Sequence, residues 1–252
     1  MISTAKPAVR ERVGQDHVVR FDVHQIVQHV ALVTSFVLLA LTGLPLKFAD
    51  WGISQWWIGV WGGIETTRNI HQFAAWLMVA DCVYHLGYLG ISTAVLKRPL
   101  PVAMIPTPKD GLDLFQEIRY FLGLSRERPL FGRFDWKAKF DYWAIFWGMP
   151  VMVLSGFIMT YPVFVTKLAP GWLISIAYVA HTDEALLAIG WIFIVHFFFN
   201  HFSPGVFPLN KSIFTGRVPR ERYQREHPLE YDSPVETAAE EAKRDIPQGN
   251  IR

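Results

Sequence analysis

The chain has 252 residues, 51% hydrophobic and 15% aromatic, with a nearly balanced formal charge of +2. Its single cysteine, Cys82, excludes a disulfide framework, a cysteine-ligated iron–sulfur cluster and the C-x-x-C-H attachment of c-type haem. Neither a Walker phosphate loop nor a G-x-G-x-x-G is present, and no nucleic-acid partner is expected. More than twenty mostly polar residues precede the first apolar run, so the start does not read as a secretory signal peptide.

A membrane helix needs about 20 mostly apolar residues, and four stretches meet that length. The first, HQIVQHVALVTSFVLLALTGLPL (24–46), has no Asp, Glu, Lys or Arg, and the second (70–96) has only Asp81. The third (142–163) is uncharged and tolerates Pro150, as membrane helices can. The fourth (172–202) has its apolar core after Asp183 and Glu184. Of the 24 Lys and Arg, all but Lys47, Arg68 and Lys167 lie in the N-terminal arm, the 97–140 segment or the stretch after Phe202. That asymmetry places both termini and the 97–140 loop in the cytoplasm. The 47–69 loop, with Trp51, Trp56, Trp57 and Trp61, should lie along the outer interface. The expected organisation is a cytoplasmic arm (1–23), a four-span domain (24–203) and a cytoplasmic tail (204–252), with 232–252 reading as flexible. The expected location is a bacterial cytoplasmic membrane, with the chain crossing it four times.

Six of nine histidines fall in or at the edges of these spans: His29, His71, His85, His181, His196 and His201; His24 sits just before the first. Ionisable groups at membrane depth are costly and usually functional. His71 and His85 are separated by fourteen residues, which places them within about 40° of one helix face and about 21 Å apart. His181 and His196, the ends of HTDEALLAIGWIFIVH, are separated by fifteen residues, about 60° and about 22 Å apart. The second and fourth spans run in the same direction, so His71 and His181 share the outer level, and His85 and His196 the inner. Neutral imidazole is a good axial ligand for haem iron. Two such levels can hold two bis-histidine haems inside a helix bundle, with Gly43, Gly87, Gly148 and Gly156 able to give room for a ring edge or simply for helix packing. Within one helix the paired histidines are too far apart to share a bare metal ion.

The chain resembles the cytochrome b (gamma) subunits of formate dehydrogenases and their relatives in hydrogenases and thiosulfate reductases. The resemblance runs from Arg20 to about Tyr231 and is carried by QHVALVTSFVLLALTGLPL, RNIHQFAAWL, FGRFDWKAKFDYW, HTDEALLAIGWIFIVHFFFNH and TGRVPRERYQREHPLEY, in that order. It implies an all-α, four-helix transmembrane bundle enclosing two non-covalent b haems. It matches His71 and His181 to the outer haem, and His29 and His196 to the inner. His85 departs from the formate dehydrogenase pattern and resembles the second helix-two ligand of cytochrome bc-type subunits, which leaves the inner haem's second ligand between His29, which is favoured, and His85. The fifteen-residue spacing in the fourth span also departs from the fourteen of formate dehydrogenase. The resemblance further implies a quinone site beside the inner haem, where Asp135 stands in place of the family's asparagine. His201, Asp81 and His85 are further candidates for proton handling, and Asp81, four residues before His85, could instead orient that ring.

The expected function is electron transfer between a quinone pool (menaquinone or ubiquinone) and an outward-facing partner. That partner would be a periplasmic iron–sulfur or multihaem cytochrome subunit together with its catalytic subunit. The rival from another class is a proton or ion transporter using a His/Asp relay without haem, and a structural anchor with vestigial histidines is a third reading.

Overall fold

The computed structural model describes residues 17–98, 100–203 and 206–231. Stretch 232–252 and all but the end of the N-terminal arm lie outside the described residues. The described residues divide into two compact units, one within 22–98 and 143–213, the other within 17–21, 100–142 and 214–231.

The first unit contains the long helices. Helix α1 (Val23–Lys47) starts at a reciprocal cap: Asp22 accepts from the Gln25 amide at 2.9 Å, and Gln25 accepts from the Asp22 amide at 3.1 Å. Helix α2 (Gly52–Val60) fills the loop after it, and Trp57 donates its indole N–H to the Leu41 carbonyl at 2.9 Å. Helix α3 (Ile64–Ala94) begins six residues before the apolar run at 70, because Gly62 and Gly63 turn the chain with φ of 89° and 98° and Glu65 suits a first turn. In the other unit, α4 (Pro108–Phe121) opens with a Thr107–Asp110 capping box and a proline at its first position.

Helix α5 (Trp136–Thr160) likewise starts earlier than its apolar run, and it stops at Tyr161 because Pro162 opens the short α6 (Pro162–Val165). The fourth span, α7, runs Trp172–Phe202; it is α-helical to Trp191 and then carries π turns at Ile192–His196 and Phe198–Phe202.

All four long helices have the length and apolarity to cross a bilayer, at 25, 31, 25 and 31 residues. Their outward faces expose large side chains such as Trp147 and Ile194, each 74% accessible, a surface suited to lipid tails rather than water. Most of the buried residues on the long helices are small, among them Ser35, Ala40, Thr42, Ala74 and Ala177, with Met78 a larger one. Without a hydrophobic drive between helices in lipid, close approach of backbones is what holds them.

The second unit joins distant pieces of chain. Strand β1 (His17–Val19) pairs antiparallel with β2 (Arg217–Pro219), Val18 opposite Val218. The short helices α8 (Ser212–Thr215), α9 (Arg220–Glu226) and α10 (Pro228–Tyr231) complete the elements in this part of the chain. Val18, Val218 and Tyr223 form a small core. Beside it, Arg20 donates to the Tyr223 hydroxyl at 3.3 Å and to the Arg133 carbonyl, and its guanidinium lies 5.0 Å from the Phe134 ring centre. Glu230 accepts from the Tyr223 hydroxyl and pairs with Arg133 at 3.0 Å. Burial holds the Arg20 guanidinium below its ordinary pKa and pushes the Tyr223 hydroxyl up to about 12.

His227 sits in the same cluster and donates Nδ1–H to the Gly132 carbonyl at 2.6 Å. Burial, with Arg20 adding to it, lowers its pKa below the ordinary 6.5. The folded unit therefore prefers neutral imidazole while the unfolded chain binds a proton. Stability from this group is complete above pH about 6.5 and declines as the pH falls below it. Hydrogen exchange of residues 217–231, corrected for intrinsic rates, should lose protection between pH 7.5 and 5.5, and His227→Gln should flatten that dependence.

Candidate functional site

Two pairs of histidine rings meet between the long helices. At the first level His71 on α3 faces His181 on α7, with ring centres 6.3 Å apart. Each is held by a hydroxyl on a neighbouring helix. His71 Nδ1 lies 2.8 Å from Thr42 Oγ1, which spends its own proton on the Leu38 carbonyl at 2.6 Å. His181 Nδ1 lies 3.0 Å from Ser155 Oγ, which donates to the Val151 carbonyl. Because both hydroxyl protons are committed, each imidazole donates from Nδ1 and keeps an unprotonated Nε2. A glycine follows each hydroxyl residue, and for a steric reason. A Cβ on Gly43 would stand 3.0 Å from His71 Cε1, and one on Gly156 would stand 3.3 Å from His181 Cε1. So α1 with α3, and α5 with α7, build the same arrangement from Thr42-Gly43 and Ser155-Gly156.

At the second level the facing rings are His29 on α1 and His196 on α7, with centres 6.4 Å apart. His196 closes the first π turn. A π turn closes onto i+5 and so takes up one residue more than an α turn. The fifteen-residue interval from His181 therefore spans the arc of fourteen ordinary helical steps, the same as that between His71 and His85. His85 lies against Phe146 of α5, ring centres 6.2 Å apart, and its Nδ1 is 2.7 Å from Gln28 Oε1 on α1. The acceptor at its Nδ1 is thus Gln28 and not Asp81.

The remaining sequence candidates are placed as follows. His201 Nδ1 accepts from the Asn210 amide at 3.3 Å, with its ring 4.7 Å from that of Phe197. Asp81 lies half-buried on α3, one turn before His85. Asp135 caps α5 by accepting from the Ala138 amide at 2.9 Å, and pairs with Lys137 at 3.0 Å. Among the glycines expected to make room, Gly43 and Gly156 abut the histidines and Gly148 abuts Glu184, whereas Gly87 has nothing within 4 Å. Sequence reasoning passed over Thr42, Ser155 and Gln28. The first two carried a signal, a Leu-(Thr/Ser)-Gly triplet recurring in the first and third spans.

Two imidazoles per level define what can bind. Among the described residues no group of three or more His, Cys, Asp or Glu converges on a metal position, and a bare ion needs more protein ligands than two. Haem iron brings four ring nitrogens and lacks only its axial pair. A metal–imidazole bond is about 2.0–2.1 Å and the ring centre lies about 1.2 Å behind its nitrogen, so two axial imidazoles have centres about 6.5 Å apart. Both observed separations fit that value, and the glycines at the first level keep side chains off the rings.

Fold and site together define a multi-pass helical membrane protein of the haem-binding kind. The chain matches the family model of prokaryotic cytochrome b561 over residues 20–206 and belongs to that family. Members are membrane-integral electron carriers that bind haem b. No curated protein gives a significant match to the chain.

Removing the hydroxyl that fixes each first-level tautomer should weaken haem at that level. Thr42→Val or Ser155→Ala should each lower its affinity about 10–100-fold, read as earlier loss of one haem on titration with an apo-haemoprotein acceptor.

Proposed function

We propose that this protein is a di-haem cytochrome b subunit that carries electrons between the membrane quinone pool and a periplasmic redox partner. The observation that carries the reading is the pair of facing imidazoles at each of two levels, 6.3 and 6.4 Å between ring centres. His71 and His181 would hold the outer haem, and His29 and His196 the inner. Bound haem b supplies a one-electron ferric/ferrous couple. The residues around it hold the ligating tautomer, exclude other ligands and set two stations about 20 Å apart along α7.

The lopsided Lys/Arg distribution supports an orientation with His71 and His181 toward the periplasm. Substrate chemistry then belongs to a partner complex, an iron–sulfur or multihaem cytochrome subunit with its catalytic subunit, docked on the outer face. Quinone reacts toward the cytoplasmic side, with His201 and Asp81 as candidates for its protons; Asp135 is the candidate quinone contact, at the position where the family it resembles has an asparagine. Electron transfer between an outer donor and an inner quinone moves charge across the bilayer, about 2.3 kcal/mol per charge per 100 mV.

A pyridine haemochrome assay on the loaded, purified chain should give two b haems, both released by acid–acetone. One haem refutes the di-haem reading, and no haem with no Soret band favours a haem-free relay. His71→Ala and His181→Ala should each remove one low-spin haem, and His29→Ala the other, while His85→Ala should keep both. Asp135→Ser keeps a helix-capping oxygen but removes the charge and the reach of the side chain; it should slow quinone-linked turnover with both haem spectra intact, and unchanged turnover strikes Asp135 from the site.

A further inference from the structure

Gln28 and His29 are consecutive on α1, so their side chains leave the helix about 100° apart. His29 meets His196 on α7, and Gln28 meets His85 on α3. His85 donates Nδ1–H to Gln28 Oε1 at 2.7 Å, which fixes the amide with its oxygen toward α3 and its NH2 turned away. That nitrogen, Gln28 Nε2, is buried and has no hydrogen-bond partner among the described residues. A buried donor without an acceptor costs about 1–3 kcal/mol, and in a bilayer interior no bulk water offers one. Ordinary interhelical hydrogen bonding accounts for Oε1 and His85 but leaves Nε2 unexplained. A ligand held at the level of the His29–His196 pair can supply the acceptor it lacks.

Haem b offers hydrogen-bond acceptors at its rim only through its two propionate carboxylates; the rest of the rim is methyl, vinyl and C–H. We propose that Gln28 Nε2 donates to a propionate of the inner haem, and that His85 is a positioning residue that holds the amide in the donating orientation. This gives the surplus histidine a role that needs no bond to iron. The proposal rests on the reading of His29 and His196 as the inner haem's ligands.

The test uses the full-length, haem-loaded protein and three readouts: haem content, the propionate bending modes in resonance Raman, and the two midpoint potentials. Gln28→Leu should retain two low-spin haems, shift the propionate mode of one of them, and move that haem's potential negative, because an unshielded carboxylate favours ferric iron. The other haem should not change. His85→Phe frees the amide to rotate and should reproduce the shift, and His85→Gln, which can still donate to Oε1, should reverse it. Where Gln28→Leu fails to fold, Gln28→Met removes the same donor at nearly constant length. Two haems with unchanged Raman modes and potentials in the Gln28 variant overturn the inference while leaving the di-haem reading intact. Loss of a low-spin haem in His85→Phe, with retention of both in His29→Ala, overturns the inference and the ligand assignment together.

Discussion

The structure of the helical unit depends on keeping imidazole nitrogens neutral, oriented and face to face inside an apolar bundle. A histidine there cannot be solvated, so each ring nitrogen has to be committed to a protein group or to a ligand. At the His71–His181 level the solution is explicit. A hydroxyl whose proton is already given to its own helix backbone can only accept, and an acceptor at Nδ1 settles the tautomer. Which ring nitrogen stays unprotonated follows from a Thr and a Ser on the neighbouring helices.

The same constraint explains the small residues. Rings that face each other across the bundle need neighbouring helices to approach closely without filling the space between them. Gly43 and Gly156 meet that need where a methyl group would press on the ring edge. At this level α1–α3 and α5–α7 thus use the same hydroxyl–glycine pair. The His29–His196 level does not repeat it. There α1 supplies the ring and α3 contributes His85, bonded instead to Gln28. On the proposed di-haem reading, two levels of different surroundings would give the two haems different potentials, since hydrogen bonding and local polarity are among the levers that set a haem's potential.

The second unit obeys a different physics. Its Arg20, Tyr223, Glu230 and Arg133 are mutually satisfied, so a buried guanidinium is tolerated because aromatic faces and a carboxylate surround it. Glu117, 3% exposed, takes both Trp136 Nε1–H and Lys137 Nζ at 2.7 Å. Asp135 belongs to this network as a helix cap and ion-pair partner, which gives it a structural role whatever else it does.

The four spans and the two levels of histidines were legible in the sequence because both depend on local quantities. Apolar length sets a membrane helix, and residue separation sets depth and angle along one helix. Helix starts were less legible, since polar first turns at Ile64 and Trp136 lie outside the apolar runs and are fixed by a glycine turn and an aspartate cap. Which rings face each other was decided only in three dimensions. A helical wheel gives a residue's angle on its own axis but not the rotation of one helix against another, and that rotation brought His29, not His85, opposite His196. The π turn that carries His196 round by one residue, and the hydrogen bonds from Thr42, Ser155 and Gln28, were hidden for the same reason. They join residues on different helices, and packing rather than spacing determines where they meet.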